Sequence, residues 1–164
     1  MSAARDIIGA YRAPRRVFAR RLAATGTEAQ ALVILMTACL LVFVSQAPVL
    51  QRQAIATGED LNPLLGGALF AWLFIMPLAA YAISWISHLI ARAMGGQGSP
   101  LASRLALFWA LLVAAPLWML NGLVLGFLGE SAEANIVGAI ALGAFVIHWA
   151  VNLVTAQSPR ELAA

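Results

Sequence analysis

From Pro63 to Ala91 the chain reads PLLGGALFAWLFIMPLAAYAISWISHLIA, and from Leu101 to Leu128 it reads LASRLALFWALLVAAPLWMLNGLVLGFL. Between the two stands Met94-Gly95-Gly96-Gln97-Gly98-Ser99-Pro100, a break built of residues that end helices and turn the chain. Neither run contains an acid, and Arg104 is the only arginine or lysine in either. Two apolar stretches of this length side by side exceed what a water-soluble domain of this size can bury. They predict two transmembrane helices joined by a tight turn.

The whole composition agrees. Hydrophobic residues make up 62% of the 164 positions and charged residues 10%, against roughly 25% charged in a soluble domain. The class is an all-α polytopic membrane protein with four transmembrane helices, and the length leaves no separate soluble catalytic domain. All ten basic residues are arginine, for a net charge of +3. Six of them, Arg5, Arg12, Arg15, Arg16, Arg20 and Arg21, precede the first apolar run. That clustering reads as the positive flank of a membrane protein facing anionic lipid head groups or an acidic partner, and no nucleic acid is expected. Cys39, the single cysteine, lies inside an apolar run and reads as an inert packing residue.

Residues 1–28 form a basic amphipathic segment at the interface. Ile7, Tyr11, Phe18 and Leu22 gather near one helical face and most arginines on another. Pro14 divides it into two short helices and stands in the first turn of the second. Thr27-Glu28-Ala29-Gln30 fits a capping box and opens the first span, 29–47, read as an uncleaved span rather than a signal peptide. A polar loop, 49–62, follows. The second span is 63–91, with Asp60 or Asn62 as its cap, the third 101–128 and the fourth 135–156, so that 29–157 is the membrane domain and 158–164 the tail. Arginine counts on the two sides place both termini and the second-to-third turn in the cytoplasm, and the arginine-only, alanine-rich composition points to a bacterial inner membrane. The second and third runs are longer than a ~30 Å hydrocarbon core requires. Pro77 and Pro116 predict kinks that, with tilt, absorb the excess.

On the second span Tyr81, Ser84, Ser87 and His88 fall on one side with Pro77, opposite Leu78, Ile86 and Leu89. The third contributes Arg104 near its start, and the fourth His148 and Asn152. Under the topology above, Tyr81, Ser84, His88, Arg104, His148 and Asn152 all lie in the cytoplasmic half and form a candidate intramembrane polar cluster. All seven acids lie outside the apolar cores, so no buried carboxylate is expected to relay protons or hold a cation. No metal site, catalytic signature or cofactor motif is present, and no enzyme activity is expected. Gly122 with Gly126, and Ala139 with Gly143, are small residues four apart that let helices approach closely, either within the chain or between copies.

The run Leu64-Leu65-Gly66-Gly67-Ala68-Leu69-Phe70-Ala71-Trp72 through Pro77, together with Arg104-Leu105-Ala106-Leu107-Phe108-Trp109-Ala110-Leu111 and Pro116-Leu117, resembles a small bacterial member of the Yip (Ypt-interacting protein) family over about residues 5 to 155. Eukaryotic members of that family span the membrane several times, usually five, engage Rab-type GTPases and shape or sort membranes. The resemblance implies a polytopic protein with a membrane-organising or partner-binding role, and the GTPase partner is not carried over. Two functions follow as expectations. One is a non-enzymatic scaffold or accessory subunit with a protein partner or homo-oligomer in the membrane. The other is an oligomeric transporter or channel whose path is lined by Tyr81, Ser84, His88, His148 and Asn152.

Overall fold

The structure, a computed structural model, describes residues 3–158. Of the expected tail, 158–164, only Ser158 falls among them, and the rest of it lies outside the described residues. The order is α1 (Ala3–Arg12), α2 (Pro14–Ala24), α3 (Glu28–Thr57), α4 (Leu61–Phe70), a π-helical turn (Ala71–Ile75), α5 (Met76–Ala93), α6 (Pro100–Leu128) and α7 (Ala132–Gln157). Four helical stretches are long and apolar enough to cross a membrane: α3, the continuous Leu61–Ala93, α6 and α7. The protein is thus an all-helical, multi-pass membrane protein.

Local chemistry sets the ends. Thr27 accepts from the Gln30 amide at the start of α3, and the Gln30 side chain reaches back to the Gly26 amide. Ser99 and Ser131 accept from Ala102 and Ala134 at the starts of α6 and α7. Each satisfies a donor that the first helical turn leaves open. Asp60 holds the cap position of α4 without a side-chain hydrogen bond, and the helix begins at Leu61, two residues before Pro63.

Two spans differ from expectation. The stretch 49–62, read as a polar loop, is helical to Thr57, because α3 runs through Pro48 and stops only at Gly58, whose φ of 73° is left-handed. Tertiary contact offsets the hydrogen bond that Pro48 removes. Its ring packs on Gly126 of α6, and one turn later Arg52 donates to the Gly126 and Phe127 carbonyls (3.4 and 3.2 Å) at the end of α6. The second deviation lies before Pro77, where the helix widens into the π turn 71–75. The irregularity expected of a proline appears there, one turn upstream, while α6 passes Pro116 without a break.

The hub is α6. Its small residues Ala102, Ala106, Ala110, Ala114 and Ala115 are all buried, which lets α3, α5 and α7 approach it from different sides. The second span is peripheral. Pro77, Ala80, Ser84, Ser87 and His88 are buried on its inner face, whereas Leu78, Trp85, Ile86 and Leu89 are exposed as the helical period requires.

The N-terminal segment splits at Ala13, as Pro14 dictates, and folds into a helical hairpin. It does not merely lie on the surface. Ala10, Val17 and the fully buried Phe18 pack into one cluster with Ala102, Leu105, Trp109, Leu112 and Val113 of α6. The same face of α6 continues as Pro116, Leu120, Leu123 and Phe127, which are exposed. The hairpin therefore covers half the length of one α6 face and leaves the other half open.

Candidate functional site

The six polar residues expected to form one cluster are distributed over separate junctions. At the first, Ser103 of α6 joins three helices. Its hydroxyl oxygen accepts from Gln157 Nε2 of α7 at 2.8 Å and stands 3.0 Å from His88 Nδ1 of α5. The Ser103 hydroxyl also stands 3.4 Å from the Ser99 carbonyl, so its proton goes either to that oxygen or to Nδ1, and the His88 tautomer follows that choice. Gln157 also accepts from the Gly98 amide at 2.9 Å, tying the α5–α6 turn to the end of α7. No side chain fits at that contact: a Cβ on Gly96 would stand 2.6 Å from Gln157 Oε1, and one on Gly98 2.9 Å from it. Ser84 and Ser87 bond only to carbonyls of their own helix, Tyr81 and Ile83.

At the second junction Arg104 pairs with Glu28 at the start of α3, and its guanidinium lies 5.5 Å from the centre of the Tyr81 ring. Tyr81 in turn meets Phe108 edge-on. Arg104 stays about one-quarter exposed, which fits a long side chain carrying its charge to the membrane edge. At the third, Asn152 Nδ2 donates to the Ala106 carbonyl across α6–α7 at 3.2 Å. His148 faces neither His88 nor Arg104; it meets the N-terminal hairpin, with Nε2 3.3 Å from the Ala10 carbonyl and its ring edge-on to Tyr11.

One cause accounts for the dispersal. The helical period fixes the direction in which each residue leaves its own axis, but not which neighbour stands there. The α7 residues meet α1 and α6 instead of α5.

Asp6 was expected outside the packed regions together with the other acids, yet it is buried, and Arg21 reaches it at 2.5 Å. Arg20 lies 3.6 Å from the same carboxylate. The Arg21 guanidinium also sits 4.7 Å from the centre of the Trp109 ring. Arg21 is consequently turned inward, in contrast to the outward role expected of it. Arg5, Arg12, Arg15, Arg16 and Arg20 remain exposed. Tyr11 donates to the Val113 carbonyl at 2.9 Å, and burial raises its phenol above the usual range, so it stays a neutral donor.

The two small-residue pairs behave oppositely. Gly122 and Gly126 are filled by Ser45 and Pro48 of α3, an intramolecular contact. Ala139 is exposed, and a Cβ on Gly143 would meet nothing within 4 Å. Among the described residues no three His, Cys, Asp or Glu side chains come together.

A prediction follows for the three-helix junction. Ser103→Ala strips Gln157 and His88 of a shared partner and costs about 1–3 kcal/mol. Ser87→Ala, whose hydroxyl serves only its own helix, changes stability by less than about 0.5 kcal/mol. Denaturant unfolding in micelles, followed by circular dichroism, checks the contrast.

No family model, curated protein or solved structure matches the chain.

Proposed function

We propose that this multi-pass membrane protein is a non-enzymatic scaffold or accessory subunit of a larger membrane assembly. The observation that carries the reading is how the polar side chains are used. Ser103, Gln157, Asn152, His148 and Arg104 each tie one element of the chain to another, as structural residues do, and they do not line a common path. What remains available to partners is at the surface. The outer side of the hairpin offers Arg5, Arg12, Arg15 and Arg16, none of which pairs with an acid among the described residues, to anionic head groups. The Ala139–Gly143 face of α7 is open to a neighbouring helix, a second copy or another subunit.

Charge distribution supports an orientation. The hairpin end carries eight arginines (5, 12, 15, 16, 20, 21, 92 and 104) against Asp6 and Glu28, whereas the opposite end carries Arg52 against Glu59, Asp60, Glu130 and Glu133. The positive-inside rule then favours a cytoplasmic hairpin, and the arginine-only, alanine-rich composition favours a bacterial inner membrane as part of the same proposal. The resemblance to the Yip family adds the membrane-organising part of the proposal.

The test combines native mass spectrometry of the full chain in nanodiscs with ion and solute flux in proteoliposomes. The expected result is a defined oligomer or complex that Gly143→Leu dissociates without lowering the stability of the single chain, and no flux. Flux abolished by His148→Ala or Asn152→Ala, with assembly intact, would establish the transporter reading instead.

A further inference from the structure

Two charged levels bracket the bundle. At one end Arg104 pairs with Glu28, and at the other Arg52 holds the Gly126 and Phe127 carbonyls. Between those levels α3 and α6 carry no charged side chain. The rise from Arg104 to Gly126 is about 33 Å, close to the ~30 Å hydrocarbon core of a bilayer.

The N-terminal hairpin does not stay at the first of these levels. Tyr11 donates to the Val113 carbonyl, and the Ala10 carbonyl meets His148, one turn along α7 from the contact of Asn152 with Ala106. That places Ala10 near the level of Ala110, about 9 Å inward of Arg104, and Val113 is about 13 Å inward. The tip, Tyr11 to Arg16, thus stands about 9–13 Å inside the core. α2 brings the chain back, since its 11 residues lead through Thr25–Thr27 to Glu28 at the level of Arg104. Its length of about 16 Å matches that climb. The hairpin is therefore re-entrant.

Arg12, Arg15 and Arg16 are carried on the tip. All three are exposed, and none pairs with an acid among the described residues. Guanidinium does not shed its proton, so neutralisation offers no escape. Snorkelling covers only part of the depth, since an arginine side chain reaches roughly half of it. The rest falls to the membrane, which admits charge by thinning and by letting in head groups and water. The two flanks of the bundle differ accordingly. Beyond the tip, the exposed apolar band of α6 from Pro116 to Phe127 is only about 17 Å tall. On α5, Ile86 and Ile90 are exposed close to the Arg104 level, because His88 between them meets Ser103. Hydrocarbon is needed on that flank over the full height.

We propose that the hairpin tip binds the phosphates of anionic lipids in its own leaflet and draws them inward, so that the bilayer is thinner beside α1 and α2 than beside α5. The inference rests on the reading of these arginines as head-group contacts and adds the depth at which the head groups stand. Phosphate suits the tip, because three guanidiniums within the stretch 12–16 present forked donors to its oxygens. A phosphate held there supplies the solvation that the arginines lose.

The test uses the full chain in nanodiscs of phosphatidylcholine and phosphatidylglycerol, in a Cys39→Ala background. One nitroxide is placed at Ala13→Cys or at Ile86→Cys, both exposed positions. Power-saturation electron paramagnetic resonance compares collisions with oxygen, which concentrates in hydrocarbon, and with a nickel chelate, which stays in water. Along the bundle axis position 13 lies about 8 Å deeper than position 86, so a flat bilayer gives it the lower nickel accessibility. The expected result is the reverse order, with Ala13 open to nickel and Ile86 in hydrocarbon. Arg12→Gln, Arg15→Gln and Arg16→Gln together abolish the reversal. Oxygen-dominated collision at Ala13 in the parent chain overturns the proposal, because the membrane then covers the tip unthinned. Nickel accessibility at both positions overturns it as well, because the tip then lies at an ordinary interface. Native mass spectrometry keeps the underlying reading separate. Phosphatidylglycerol retained by the parent chain and lost from the triple variant, with either of those label results, preserves the head-group contacts and removes only the thinning. Failure of the parent chain to retain the lipid overturns both.

Discussion

Gly122→Ala lowers the stability of the bundle by about 3 kcal/mol, at the upper end of what overpacking costs. The sign is informative, because alanine in place of glycine inside a helix is otherwise worth up to about 1 kcal/mol in the opposite direction. A Cβ on Gly122 would stand 2.8 Å from the carbonyl carbon of Ser45 and closer still to its oxygen. Those are backbone atoms of α3, so no rotamer change clears them and the helices must move apart. The separation spreads along the seam, because Gly126 one turn later is closed by Pro48, whose carbonyl carbon would lie 3.0 Å from an added Cβ. Gly143→Ala is the control. Nothing lies within 4 Å of its would-be Cβ, so helix propensity alone acts and the variant is as stable as the parent or slightly more so. Equal gains at both positions in denaturant titrations would show that α3 and α6 do not approach closely.

These two glycines also show what the sequence could and could not reveal. Their spacing announced a close helix contact, but glycine and alanine are common in this chain, and spacing alone does not identify the partner. The structure gives Gly122 and Gly126 to α3 and leaves Ala139 and Gly143 facing outward. The spans themselves were legible because hydrophobic runs and caps are local properties; Thr27 and Ser99 start helices where their side chains predict. The division at Pro14 was legible for the same reason. The continuation of α3 past Pro48 was not, since it depends on Gly126 and on Arg52 reaching the end of a helix 74 residues away in the chain. Nor was the choice of hub. The second and third spans are alike in hydropathy and both are rich in glycine, alanine and serine, so neither property identifies the one that its neighbours enclose. The polar cluster dissolved because helical phase orients a residue about its own axis and says nothing of what stands opposite. Asp6 was missed because a basic, amphipathic segment reads as surface. A signal was available in Pro14, which leaves the Ala10 carbonyl without its helical donor and so calls for one from elsewhere in the fold.

Phe18→Ala releases the N-terminal hairpin while leaving the four spans folded. Phe18 is fully buried against Leu105, Trp109 and Val113, and truncating a buried phenylalanine costs about 3–5 kcal/mol. The loss falls on docking, because α1 and α2 precede α3 in the chain and cover only one face of α6. Hydrogen exchange of the protected amides in residues 3–24 should accelerate by about two orders of magnitude, the kinetic equivalent of roughly 3 kcal/mol in the opening equilibrium. Amides in the middle of α6 should keep their protection. Asp6→Asn is predicted to do less, despite the 2.5 Å contact with Arg21. Removing one partner of a deeply buried pair costs about 3–5 kcal/mol because the other charge is stranded. Arg21, however, is 25% exposed and keeps the Trp109 ring, so it recovers solvation and retains a partner, and the cost falls to about 1 kcal/mol. The ordering separates two accounts of the hairpin. If Phe18→Ala has the larger effect, an apolar seat holds it and the polar ties set its register. If Asp6→Asn matches or exceeds it, the Asp6–Arg21 pair is the main fastening and Phe18 only fills the space beneath.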